Sequence, residues 1–265
     1  MRLRWAGGRP LRPGRARAVP SLPREEAAIP LNRDVAITYL GHSTFKVVTP
    51  GKKVVLIDPW VAGNPACPEN LKTFDRLDLM LCTHAHFDHI GDAVALGKKH
   101  KPKVVAIYEL CHWLEKKGVA NALPMNKGGT QGVDGIRVTM VHADHSCGIL
   151  EGDEILYGGE AVGYVVELEN GFKFYHAGDT NIFSDMKLIA DLYHPELAML
   201  PIGDLFGMSP REAAVACRLL NAKRVIPMHY GTFPPLTGTP EALRKLTADI
   251  KGLEIIALKP GETLK

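Results

Sequence analysis

The chain has 265 residues, 46% hydrophobic and 23% charged, the composition of an ordinary globular protein, and no apolar run nears the ~18 residues of a membrane span. Its formal charge of +3 is the sum of two opposite parts: residues 1–33 hold eight Arg, no Lys and two Glu, 8 − 2 = +6, so the rest carries (32 − 8) − (29 − 2) = −3. That excludes a globally basic nucleic-acid binder, and the length favours one large domain. Residues 1–33 mix five Pro and three Gly with the Arg, so no helical or strand period survives there. They lack the apolar core of a secretory signal and read as a disordered extension ahead of a body at 34–265.

From Val35 the pattern changes. VAITYL (35–40), FKVVT (45–49) and KVVLID (53–58) are short β-branched runs split by turn residues, and they predict a meander of strands. LDLMLCT (77–83) predicts a buried strand, 92–100 a short helix and KVVAI (103–107) a strand; 109–117 predicts a helix stopped by Gly118. GIRVTMV (135–141), GYVVEL (163–168) and FKFYHA (172–177) predict strands, 184–192 a helix and LAMLP (197–201) a strand. The helix over 209–221 is well signalled, with Ser209 as cap, Pro210 at the first position and Glu212 at the third. RVIPM (224–228), a helix over 241–250 and LEIIAL (253–258) close the chain. Strands first follow one another and then alternate with helices. This predicts a mixed α/β (α+β) domain, two sheets packed face to face with helices outside.

The five Cys are odd in number, widely spaced and without a C-x-x-C pair. They read as buried small hydrophobes in a reducing compartment, and the expected location is cytoplasmic. The eleven His are more telling. THAHFDHIGD (83–92) follows directly on a buried strand and crowds His84, His86, Asp88 and His89 into six residues. Imidazole with carboxylate suits Zn, Mn or Fe, and two pairs serving two adjacent ions is the natural geometry for so tight a loop. Further candidates recur at predicted strand ends: His142 and His145 in VHADHS, His176 and Asp179 in YHAGDT, and His229 in IPMHYGTF.

HAHFDH resembles the H-x-H-x-D-H signature of the metallo-β-lactamase superfamily, and Asp58 in LIDPW matches that superfamily's early Asp. More narrowly, YLGHSTF, THAHFDHIGD, HADHS, YHAGDT and MHYGTF resemble the bacterial and archaeal metal-dependent hydrolases related to L-ascorbate-6-phosphate lactonases, from about Val35 to the C-terminus. The resemblance implies a four-layer αββα sandwich. It implies one ion on His84, His86 and His145, a second on Asp88, His89 and His229, and Asp179 bridging. His145 is preferred to His142 because the family places that His directly before Ser146. Two divalent ions per chain, Zn or Mn, would share a hydroxide at neutral pH.

The expected activity is therefore a metal-dependent hydrolase attacking an ester-like bond, lactone or phosphodiester, of a small-molecule substrate. Alternatives on the same scaffold are a mono-iron thiol dioxygenase-type oxidoreductase and a non-catalytic metal-binding protein. Asp88, His42 and His176 are the expected catalytic groups: His42 to donate a proton or bind an anionic group, His176 to orient Asp179 or donate a proton; Asp58 is the expected acceptor for a ligand imidazole. Ser43 and Ser146 lack a nucleophile-elbow context. His100, His112 and His194 read as structural or surface residues. The Gly-rich segment 148–164 is a candidate overhang of the site. No nucleic acid or membrane partner is expected, and a homo-oligomer is left open.

Overall fold

Successive side chains of a strand go to opposite faces, and burial here shows what covers each face. Tyr164 and Val166 enter one apolar cluster and Val165 between them enters another; Met199 and its neighbours Ala198 and Leu200 divide the same way. Such strands are buried on both sides, which is why their sequences run almost continuously apolar.

The computed structural model describes residue 31 and residues 33–265. Most of the stretch read as a disordered extension lies outside the described residues. Packing of the body reaches back to Leu31, which is buried and whose N–H donates to the Lys265 carbonyl.

The first sheet begins with β1 (Ala36–Gly41), β2 (Thr44–Val48) and β3 (Val54–Ile57), the antiparallel meander expected. It continues in parallel through β4 (Leu79–Leu81), β5 (Lys103–Ile107) and β6 (Ala122–Met125). Between them lie α1 (Phe87–Ile90), α2 (Ala93–His100) and α3 (Tyr108–Lys116), and α3 packs on β5 and β6. The second sheet starts with antiparallel β7 (Thr130–Val133) and β8 (Ile136–His142). A separate hairpin, β9 (Gly148–Glu151) and β10 (Glu154–Tyr157), precedes β11 (Val162–Glu167) and β12 (Lys173–His176), which pair antiparallel. Then α4 (Met186–Tyr193), β13 (Leu197–Pro201), α5 (Pro210–Leu220), β14 (Arg224–Met228), α6 (Pro240–Leu246) and β15 (Glu254–Ile255) follow, these strands running parallel to β12. The last strand, β16 (Thr263–Leu264), pairs with β1.

The two sheets have orders β16-β1-β2-β3-β4-β5-β6 and β15-β14-β13-β12-β11-β8-β7. Their facing sides share one core that includes Phe45, Ile57, Met140, Phe174 and Met228. A second core under α4, α5 and α6 includes Tyr175, Leu200, Ala213 and Cys217. The αββα layering is as expected. The capping box of α5 is also as read: the Arg211 N–H donates to Ser209 Oγ, and Glu212 Oε2 accepts from the Ser209 N–H. Five strands were not expected: β6, β7, β9, β10 and β16. The first sheet's edges are β16 and β6, the second's β15 and β7.

Topology positions the site. Two antiparallel steps make β1 parallel to β3, so β1, β3 and β4 finish at one edge; by the same reasoning β8, β12, β13 and β14 finish together. These two edges meet. The His229 N–H donates to the His42 carbonyl at 2.7 Å, and the Val162 N–H to the Thr83 carbonyl at 3.0 Å.

Candidate metal centre

Each strand end at this junction delivers a polar side chain. His42 follows β1, Asp58 follows β3, the His84–His89 loop follows β4, His145 follows β8, Asp179 follows β12 and His229 follows β14. His42, Asp58 and His229 have φ of 60°, 49° and 55°, the left-handed region that residues with a Cβ avoid. Each such residue costs roughly 1–3 kcal/mol, so the surrounding packing must hold it. The turn at each strand end directs the side chain into the junction instead of onward along the sheet.

The ligand atoms fall into three overlapping groups, in each of which all lie within 4.8 Å of one another: His84, His86 and His145; His84, His89 and Asp179; and His42, Asp88, His89 and His229. The seven expected ligands thus lie in one place, with His42 added. His145 and not His142 faces the first pair, its ring 5.1 Å from both His84 and His86. His142 is exposed, with Nδ1 3.1 Å from Lys127 Nζ and its ring edge-on to Phe183.

Hydrogen bonds outside the cluster decide which nitrogen each ring turns inward. Asp58 is fully buried and can only accept. Its Oδ1 takes the Thr83 N–H, while Oδ2 takes the Thr83 hydroxyl at 2.8 Å and His89 Nδ1–H at 2.7 Å. The Thr83 hydroxyl has then spent its proton and accepts from His84 Nδ1–H at 3.0 Å. His84 therefore presents a bare Nε2 to the centre, and His89, its Nδ1 held by Asp58, turns its Nε2 the same way. His86 turns Nδ1 toward His84 Nε2 at 3.0 Å and has Nε2 3.2 Å from Ser146 Oγ. Asp58 does what was expected of it. Thr83 carries no metal-binding chemistry of its own, and its place directly before His84 is the sequence signal for this role.

Several inward atoms lack hydrogen-bond partners despite burial: His89 Nε2, His229 Nε2 and Asp179 Oδ1. His229 Nε2 lies 2.8 Å from Asp179 Oδ2 and His89 Nε2 lies 3.3 Å from it, yet neither contact has hydrogen-bond geometry. The atoms aim at shared points between them and not at one another. Buried donor-capable atoms normally find partners, and convergent imidazole nitrogens with a carboxylate are the donor set of a borderline cation. The residues fit metal ions.

Electrostatics agree. Burial pushes His84, His86 and His145 below the ordinary histidine range, so they are neutral, as ligands must be. Burial works against charge on His89 too, but Asp179 and Asp58 outweigh it and hold its pKa well above the usual value. Asp179 stays ionised because His229 and His89 outweigh its desolvation. Desolvation likewise opposes charge on Asp88, but its hydrogen bond to His42 and the nearby His89 prevail and hold it at about 2. Burial lowers His42 to about 4, and its Nε2 lies 2.9 Å from Asp88 Oδ2.

Of the two roles expected of His176, the structure contradicts proton donation and agrees with orienting Asp179. The His176 Nε2–H donates to the Ser43 carbonyl at 3.0 Å, and its Nδ1 accepts the Gly178 N–H at 3.1 Å. Both nitrogens are used by backbone, so the ring braces the loop that carries Asp179 and has no proton to offer the cluster. Gly178 itself has φ 63°, and a Cβ there would stand 2.8 Å from both Thr83 Cβ and the Val162 carbonyl oxygen. The 148–164 segment differs from expectation. The β9–β10 hairpin leans on α3, where Glu151 accepts from Trp113 Nε1 at 2.8 Å and from Lys117.

Sequence and structure comparisons point the same way. A model described as "Beta-lactamase superfamily domain" matches residues 53–230. The chain is 60% identical over 227 residues to a UPF0173 metal-dependent hydrolase of Koribacter versatilis, covering 86% of this chain and 96% of that one. It is 47% identical over 228 residues to one from Methanopyrus kandleri, covering 86% and 98%. Among solved structures, the metallo hydrolase Igni18 of Ignicoccus hospitalis is similar at 35% identity and TM-score 0.76, covering 86% and 97%.

Proposed function

Since the chain belongs to the UPF0173 metal-dependent hydrolases of the β-lactamase superfamily, we propose that it holds two divalent ions, zinc or manganese, and hydrolyses an ester-like bond of a small substrate, a lactone or a phosphodiester. His84, His86 and His145 would hold the first ion, Asp88, His89 and His229 the second, and Asp179 would bridge. The observation that carries this reading is the convergence of buried, unpartnered His89 Nε2, His229 Nε2 and Asp179 Oδ1. Two such ions supply a water-derived nucleophile at neutral pH and polarise the bond under attack.

The chain's own residues do the rest. Asp58 and Thr83 fix the rings of His84 and His89, so no reorganisation is needed when ligands engage. His42 donates Nε2–H to Asp88 Oδ2, which holds that carboxylate ionised and in place beside the reacting bond. His42 is thus a positioning residue, and Asp88 the carboxylate through which a proton of the attacking water is oriented. The Cys residues take no part, all five being buried and free. The acidic balance of the body and the reducing use of Cys suit a cytoplasmic enzyme of small metabolites. Among the described residues, no helix is long and apolar enough to cross a membrane.

The test is metal quantification on purified protein, followed by a panel of lactones and phosphodiesters. Two tightly held zinc or manganese ions with turnover are expected. Asp179→Ala and His86→Ala should lower metal content and abolish turnover while the fold survives. One bound iron with oxygen consumption, or full activity in either variant, would overturn the reading.

A further inference from the structure

Three aromatic rings from three separate segments converge on one flank of the centre. Trp60 stands two residues after Asp58, Phe87 lies between His86 and Asp88, and Phe233 comes four residues after His229. Trp60 and Phe233 stack with centroids 5.9 Å apart, Phe87 meets Trp60 edge-on at 6.0 Å, and Phe87 and Phe233 are 6.4 Å apart. The group is joined directly to the site through His42, whose ring is 5.2 Å from Trp60, 5.5 Å from Phe233 and 4.0 Å from His229.

Their exposure is graded. Trp60 is 5% exposed and forms a floor, Phe233 is half-buried, and Phe87 is 57% exposed. A core needs no phenylalanine more than half in water, and Phe87, the first residue of α1, is held in place by its flanking residues, His86 and Asp88. An open aromatic shelf beside a polar reaction centre is how small-molecule sites bind the unreactive part of a ligand. Placed against His42, Asp88 and His229, it lies on the side of the second ion.

We propose that Phe87 and Phe233, backed by the buried Trp60, form the platform that receives a flat apolar group, such as an aryl ring, attached to the carbonyl or phosphorus centre of the substrate. This inference rests on the proposed reading of the metal centre. It narrows the substrate class from any small ester-like molecule to one with an aromatic or similarly flat substituent next to the scissile bond.

Binding, not turnover, tests it. Benzylphosphonate and methylphosphonate are titrated calorimetrically into the zinc-loaded full chain and into F87A and F233A, with metal content measured for each. We expect the benzyl compound to bind about tenfold tighter or more, the gain of stacking one ring in a partly desolvated site. In both variants that ratio should fall toward one. A ratio near one in the unaltered chain, or a ratio retained in both variants, overturns the platform and leaves the metal-centre reading standing. If neither phosphonate binds the zinc-loaded chain, the metal-centre reading falls and the platform with it.

Discussion

Asp58 Oδ2 lies 2.7 Å from His89 Nδ1, and both side chains are fully buried. The same carboxylate accepts from the Thr83 N–H and hydroxyl, so one residue outside the proposed ligand set fixes the rings of His84 and His89. Asp58→Asn should keep the shape while weakening acceptance from His89 and Thr83. Metal affinity should drop about 10–100-fold, the usual effect of losing such a partner. Competition with a chelator measures it, and unchanged affinity would contradict the role of Asp58.

Metal uptake should release a proton from His89. Asp179 and Asp58 hold its pKa well above the ordinary value, so the ring is protonated at pH 7 in the metal-free chain, and a cation needs Nε2 bare. His84, His86 and His145 have lowered values and give up none at that pH. Zinc titrations at pH 7 in buffers of different ionisation enthalpy should show an apparent enthalpy that varies with the buffer. A buffer-independent enthalpy would refute the assignment.

Gly178→Ala should fail for two reasons at once. The residue sits at φ 63°, and its new methyl would lie 2.8 Å from Thr83 Cβ and from the Val162 carbonyl oxygen. Gly171→Ala is the control, since φ there is 80° but nothing lies within 4 Å. The control should cost about 1 kcal/mol and retain metal, whereas Gly178→Ala should cost roughly 2 kcal/mol or more and lose metal. Urea denaturation and metal analysis of both variants decide.

The thiols should be inert in the native protein. Burial raises Cys67 to about 11, Cys111, Cys147 and Cys217 to about 12, and Cys82 well above its usual value. Ellman's reagent at pH 8 should label none rapidly, and all five after unfolding. The sign for stability follows. The unfolded chain loses these protons near pH 8.5, the folded chain only at the raised values, so stability falls as pH rises above about 8.5. A urea midpoint higher at pH 9.5 than at pH 8 would contradict this.

The central strands were legible because strands buried on both faces must be apolar throughout, as in β4, β13 and β14. The strands that were not legible are short, and three lie at sheet edges. β6 contains Pro124, which a sheet tolerates at an edge, β7 carries the polar run Thr-Gln-Gly-Val, and β16 has two residues. Their pairing is supplied by neighbours distant in sequence, and local pattern carries little of that. Chain proximity to His145 suggests an overhang for the β9–β10 hairpin but says nothing of direction, and its bonds to Trp113 and Lys117 turn it toward α3.

By itself the amino-acid order determined which residues could bind metal, because ligand chemistry belongs to side-chain type and the HAHFDH spacing is local. It also determined the split of charge between the first 33 residues and the body, which is a matter of composition alone. Only the tertiary structure turned His145 toward His84 and His86 and His142 toward Lys127, assigned both nitrogens of His176 to backbone, and gathered Trp60, Phe87 and Phe233 beside His42. Those are questions of direction. They are decided by where parallel strands end, by the left-handed turns at His42, Asp58 and His229, and by the hydrogen bonds that leave each ring one way to face.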